Sequence, residues 1–264
     1  MPMISAFFSS TVAVAGENII TDGLVFNMDF SDTNCYPGSG TTVTDLVGSL
    51  TGTVQNGASF STDFGGVFDF DGTDDEIDMG NQSLFNTFPK AYEIWFRNDD
   101  TTNKRNNGLL NKGNNGGNAS QNGALMLNLQ QDGFDRFIFR VSNGSSFIVS
   151  LIQSGIPNVG DWAHVVAQWD GTTNTNGVQL YLDNSLLGQT TATGTTPTTA
   201  RNFFIGGHHD TQANRSLDGK IAIVRAYNRV LTADEISTNY NALKGRFGLW
   251  VSIIIYTLYL TLQN

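Results

Sequence analysis

The sequence predicts an all-β chain: two antiparallel sheets packed as a sandwich, with one short helix near the C-terminus. Three observations carry this. Apolar and polar residues alternate at period two in many short runs, the pattern of half-buried strands. Gly is abundant (29), Pro is scarce (5), and Asn, Asp, Ser and Thr fill the intervals between runs, a profile of strands joined by turns and not of disorder. One stretch alone, Thr232 to Leu243, carries helix-start chemistry, with Glu235 three residues after Thr232 as in a capping box.

In chain order, residues 1–21 are small and apolar. Ala13-Val14-Ala15 before Gly16 fits a signal cleavage site, but no Lys or Arg precedes the apolar part, as a signal peptide requires. This stretch reads as an arm that packs on a neighbouring subunit. The main domain is expected over 22–249. Asp22 to Phe30 reads as its first strand, followed by the turn-rich SDTNCYPGSGTTVTDLVG. Residues 58–80 read as a strand pair with Asp71-Gly72 as the turn. Tyr92, Ile94 and Phe96 share one face of the next strand, opposite Glu93, Trp95 and Arg97. Residues 98–123 hold only Leu109-Leu110 as an apolar pair and read as long polar loops at one end of the sandwich, where binding commonly sits. Further strands follow over 124–151, with Phe137, Phe139 and Val141 inward and Arg136, Ile138 and Arg140 outward.

The stretch Asp161 to Asp183 is strand, turn, strand. Val165, Ala167 and Trp169 oppose His164, Val166 and Gln168; Asp170-Gly171 breaks the run; Val178, Leu180 and Leu182 then alternate with Gln179, Tyr181 and Asp183. Such a hairpin has an apolar face that a second sheet must cover. Gly245 reads as the helix's left-handed stop, and the helix is expected to cover a sheet edge. The apolar run after Leu249 is shorter than the ~20 residues of a membrane-spanning helix. It suits an edge strand, a subunit contact or a terminal extension with no role in the fold.

Net charge is −10, from 24 acidic and 14 basic side chains. No basic footprint for nucleic acid is present. The single cysteine, Cys35, excludes an intrachain disulfide and any zinc site built on several cysteines.

The run W-x-H-V-x-x-x-W-D-G followed by V-x-L-Y-L-D resembles the laminin-G-like branch of the concanavalin A-like lectin/glucanase superfamily. FDFDGTDDEIDMG (68–80), AYEIWFR (91–97), FFIGG (203–207) and LDGKIAIVRAYNRVLTADEI (217–236) agree in order. The resemblance covers roughly residues 22–249 and implies a jelly-roll sandwich. It says little of activity, because this fold hosts lectins, hydrolases and adhesion modules. A narrower resemblance, GLVF-x-x-D-x…YPGSGTTVTDLVG, is to structural proteins of tailed phages. On it rests the expectation of a non-enzymatic virion component, at the capsid or tail surface, contacting other virion proteins or its own copies. The alternatives are an extracellular or cell-surface carbohydrate-binding protein and, third, a glycan hydrolase.

Candidate chemistry falls in four places. Glu76-Ile77-Asp78 is similar to the E-x-D-x-x-E run of the related glucanases, but Gly80 and Asn81 stand where a second glutamate belongs, and the pair sits in the early hairpin. His208-His209-Asp210 has the composition of a metal cluster, yet adjacent strand histidines point apart; it reads as a solvated loop. His164 is expected to fix sheet geometry. Calcium is the metal the resemblance implies, held by Asp71, Asp74, Asp75 and Asp218 in turns. An outward face of Glu93, Trp95, Arg97, Arg140, Gln168 and Tyr181 would combine aromatic planes with planar polar groups, as a glycan site does.

Overall fold

The computed structural model describes residues 18–88, 90–102, 107–113, 123–195, 197, 201–207 and 215–249. The His208-His209-Asp210 cluster, most of the N-terminal arm and the apolar extension 250–264 lie outside the described residues. The early strands are β1 (Leu24–Asp29), β2 (Thr42–Thr44), β3 (Thr51–Gln55), β4 (Ser59–Ser61), β5 (Val67–Asp71) and β6 (Glu76–Asp78). The middle strands are β7 (Lys90–Asn98), β8 (Asn107–Gly113), β9 (Gly123–Gln130), β10 (Arg136–Ser142) and β11 (Phe147–Ser154). Then come β12 (Trp162–Trp169), β13 (Val178–Leu182), β14 (Ser185–Thr190), β15 (Phe203–Ile205), β16 (Asp218–Tyr227) and the helix α1 (Ala233–Leu243).

Two antiparallel eight-stranded sheets form a jelly-roll sandwich. Sheet A runs β14-β13-β12-β7-β16-β5-β4, with β1 beside β16; sheet B runs β11-β10-β9-β8-β15-β6-β3-β2. The main core lies between them. Phe68, Tyr92, Ile94, Phe96, Val165, Ala167 and Trp169 face it from sheet A; Ile77, Leu125, Leu127, Leu129, Phe137, Phe139 and Val141 face it from sheet B. The period-two alternation of the sequence thus fixes the inward residues of each strand.

Four expectations are corrected. β5 and β6 do not pair: β5 joins β4 and β16 in sheet A, while β6 joins β3 and β15 in sheet B. Asp71-Gly72 therefore starts a corner between sheets, not a hairpin turn. Second, Leu109-Leu110 lies in β8, an interior strand of sheet B. Third, α1 covers the outer face of sheet A and not an edge. Its capping box is present, with the Thr232 side chain accepting from Glu235 N and Glu235 accepting from Thr232 N. Fourth, Gly245 is not in the left-handed region; Lys244 closes the helix in αR, and Gly248 takes φ 74°.

Candidate ligand-binding face

The six proposed glycan residues divide between two opposite surfaces. Glu93, Trp95 and Arg97 (β7), Gln168 (β12) and Tyr181 (β13) do share the outer face of sheet A. That face is occupied. Trp95 is 0% exposed and stacks on Phe247 (centroids 4.5 Å, 16°) and on Tyr240 of α1 (5.7 Å, 9°). Gln168 clamps the chain entering α1: its Oε1 accepts from Leu231 N (2.8 Å), and its Nε2 donates to Leu231 O (3.0 Å). Tyr181 packs with Leu231 and Ile236. Arg97 pairs with Asp99 through two 2.8 Å bonds. Arg140 stands on β10, in the other sheet.

Glu93 is the hub beneath the helix. Its Oε1 lies 3.1 Å from His164 Nε2 and accepts from Arg225 Nη1 at 3.4 Å. Its Oε2 accepts from Tyr227 Oη at 3.3 Å and from Asn239 Nδ2 of α1 at 2.7 Å. Burial pushes this carboxyl up, but the His164 bond, the Arg225 charge and the Asn239 bond outweigh it and hold the group below the ordinary range. Asn239 Oδ1 also accepts from Ile20 N at 2.8 Å. His164 and Glu93 therefore fasten the helix, and through Asn239 the segment at Ile20, onto the sheet. They are closed to a ligand.

Sheet B presents its outer side differently. Because Leu125, Leu127 and Leu129 face the core, Met126, Asn128 and Gln130 face out. By the same alternation Arg136, Ile138 and Arg140 face out from β10, and Ser150, Ile152 and Ser154 from β11. The register makes cross-strand rows: Met126–Arg140–Ser150, Asn128–Ile138–Ile152 and Gln130–Arg136–Ser154. The Arg136 guanidinium lies 4.2 Å from the Phe134 ring centroid and that of Arg140 4.6 Å from the Phe147 centroid. Arg136 Nε donates to Gln130 Oε1 (2.8 Å) and Arg140 Nε to Ser150 Oγ (3.3 Å). Phe134 is 56% exposed and Ile152 36%. Asn128 is 0% exposed, and neither its Nδ2 nor its Oδ1 has a hydrogen-bond partner. The alternation Arg136-x-Ile138-x-Arg140 was visible in the sequence; Phe134, Asn128 and Phe147 carried no signal there.

Glu76 and Asp78 also face outward on sheet B, since Ile77 is core. Their strand is an interior one, flanked by β15 and β3, which corrects the early-hairpin placement. Burial, then Asp78 and Asp74, push the Glu76 carboxyl up to about 7. The face takes no further carboxylate along this strand. Asp78 Oδ1 accepts from Gly80 N (2.7 Å), and Gly80 turns the chain at φ 70°.

The calcium set is reduced. Ligand oxygens of Asp71, Asp74 and Asp75 lie within 4.8 Å of one another, and Asp218 is not in this group, although its backbone pairs with Asp71. Three carboxylates are hard donors of the kind calcium takes, but calcium needs six to eight oxygens. One Asp75 oxygen already accepts from Asp71 N at 2.9 Å. Burial raises the Asp75 carboxyl, and Asp71 and Asp74 add to the rise. Among the described residues no helix is long and apolar enough to cross a membrane.

Comparison with known proteins follows this geometry. The sialidase of Trypanosoma rangeli, solved with sialic acid, is similar at 19% identity and TM-score 0.61, over 86% of this chain and 34% of that one. The chain thus spans about a third of the sialidase. Domain 4 of AbnA, a GH43 extracellular arabinanase from Geobacillus stearothermophilus solved with arabinotriose, matches at 14% identity and TM-score 0.59, over 83% of this chain and 98% of the domain. The botulinum neurotoxin serotype G binding domain matches at 14% and 0.60, over 82% and 50%. At such identities the likeness speaks for fold. No curated protein matches. The expectation of a tailed-phage virion component is overturned: similar structures include sialidases, an arabinanase domain and a toxin binding domain. A family model described as concanavalin A-like lectin/glucanases superfamily matches residues 71–237, more than half the chain, and so the chain belongs to that superfamily.

Proposed function

We propose that this chain is a non-catalytic carbohydrate-binding module whose ligand lies on the outer face of sheet B, over β9, β10 and β11. The observation that carries this is the solvent-facing Phe134 ring beside a row of planar polar groups. A sugar ring offers C–H faces to an aromatic plane and hydroxyls to guanidinium, amide and hydroxyl partners. The outer face of sheet A is filled by α1 and residues 244–249, so it offers no such surface. That an arabinanase domain of this fold was solved with arabinotriose supports a saccharide ligand. Two features speak against hydrolysis. Glu76 and Asp78 lack a further carboxylate on their strand, and β6 is separated from β10 by three strands of sheet B.

The test is a glycan array with the full chain, followed by calorimetry on the best ligand. Phe134→Ala removes an exposed ring, so the melting temperature should hold while affinity falls at least about threefold. A blank array, or binding that Phe134→Ala leaves untouched, would refute the reading.

A further inference from the structure

Resting on that reading, we infer that the saccharide is anionic and that Arg136 and Arg140 form its anion subsite. The two arginines lie four residues apart on one face of β10, about 13 Å between Cα atoms, and their long side chains reach toward each other's field. In a chain with 24 acidic side chains and 14 basic ones, basic groups find carboxylates readily. Arg97, Arg225, Arg229 and Arg246 all do, and Lys220 pairs with Asp69. Among the described residues Arg136 and Arg140 have no carboxylate partner. Of the two acids in the β9–β10 turn, Asp135 directly precedes Arg136 and is exposed, and Asp132 accepts from Gln130 Nε2 at 2.7 Å.

The guanidinium groups are nonetheless fixed. Each is laid over a phenylalanine ring, and each has its Nε used by a neighbour, Gln130 or Ser150. Fixing a plane and occupying Nε leaves the two terminal nitrogens of each fork for a ligand. That edge suits the two oxygens of a carboxylate, or two of a sulfate. Both arginines are half-buried, so their charge is only partly met by water. Burial, and then the charge on Arg136, lower the Arg140 value from its usual one, which is the strain an incoming anion relieves.

Asn128 gives the second, independent observation. It sits one strand inward, opposite Ile138 and diagonal to both arginines. Among the described residues it is the one amide whose donor and acceptor are both buried and both unpaired. Asn128 is 0% exposed, so a ligand hydroxyl or amide must reach beneath the surface to fill both roles at once, since it donates and accepts. An anionic group over β10 and a hydroxyl over β9 together describe an acidic sugar. A long nucleic acid is a poorer fit, because the −10 net charge repels a polyanion beyond the contact itself.

The probes are three oligosaccharides for calorimetry with the full chain: oligogalacturonate, its methyl ester, and a sulfated galactan fragment. The ester keeps the ring and removes the charge. Oligogalacturonate, or the sulfated fragment, should bind at least about tenfold tighter than the ester at low salt and lose that margin as salt rises. Which of the two anions wins tells carboxylate from sulfate. Arg136→Gln with Arg140→Gln should bring the anion down to the level at which the same variant binds the ester; each single variant should lose part of the margin, which guards against a double variant that misfolds. Binding of the ester as tightly as the acid, an array whose hits are all neutral, or full affinity in the double variant would overturn the anion subsite while the carbohydrate reading stands. A blank array removes both.

Discussion

Replacing Trp95 with Ala separates the two faces. If α1 caps sheet A as described, this substitution is a core truncation and not a binding mutation. Trp95 is fully buried, stacked on Phe247 and Tyr240, with the His164 ring 4.9 Å away. Nothing nearby is free to collapse into the space: Tyr240 is on a capped helix, and His164 is held by Glu93. Truncation of a buried Trp under such conditions costs about 3–5 kcal/mol, a fifth or more of the roughly 5–15 kcal/mol that holds a domain folded. For a chain of this size that is a fall of roughly 10 °C in melting temperature. Urea denaturation followed by far-ultraviolet circular dichroism should show a lower midpoint with an unchanged slope. A loss below about 1 kcal/mol, at the level of ordinary surface substitutions, would mean that Trp95 is not under the helix, and the outer face of sheet A would again be open to a ligand.

Two further predictions concern glutamates with opposite pH signatures. Glu93→Gln takes the carboxylate from the buried Arg225 and should destabilise by about 3–5 kcal/mol, read as a lower melting temperature; an unchanged one would show that the hub does not tie α1 down. Because Glu93 is held below its ordinary value, its contribution is present above about pH 4.3 and is lost as pH falls. Glu76 works the other way. Raised from 4.5 to about 7, it favours the protonated folded form, so its contribution is full below pH 4.5 and is lost as pH climbs toward 7. The stability difference between wild type and Glu76→Gln, measured by urea unfolding from pH 4 to 8, should change across that window; a flat difference would contradict the burial of Glu76.

Much of the sandwich was legible because alternation is a local property. Tyr92, Ile94 and Phe96, Phe137, Phe139 and Val141, and Val165, Ala167 and Trp169 were all readable as inward, and all are in the main core. Membership of a sheet is not local. Arg140 faces outward as its strand's pattern says, but its strand belongs to sheet B while that of Trp95 belongs to sheet A. One candidate surface was therefore assembled from two faces that point away from each other. The same limit turned the corner at 71–76 into a hairpin, since a short Asp-Gly interval fits either path. β8 was missed for a different reason. Asn107, Asn111 and Lys112 are buried in it, donating to Gln131 Oε1, Gly207 O and Arg201 O, which lie far along the chain, so the strand reads as polar.

Composition could not have told the helix-capped face from the one that carries Phe134. A helix laid on a sheet presents backbone N–H and C=O groups and aliphatic side chains, and a saccharide presents hydroxyls and C–H faces. Both select aromatic planes and planar amides. Gln168 grips Leu231 N and O with the two-way bonding it would use on a sugar. Trp95 Nε1 and His164 Nδ1 on sheet A are buried without a partner too; what separates the faces is whether their amides and charged groups are answered. On sheet A, Gln168, Glu93 and Asn239 are bonded to one another's elements, and a ligand there would have to displace a helix. On sheet B, the amide of Asn128 is bonded to nothing, and two guanidinium groups are held in place without an acid. Unanswered polar groups in fixed positions are costly in a folded chain, and the deficit is removed only by something outside it.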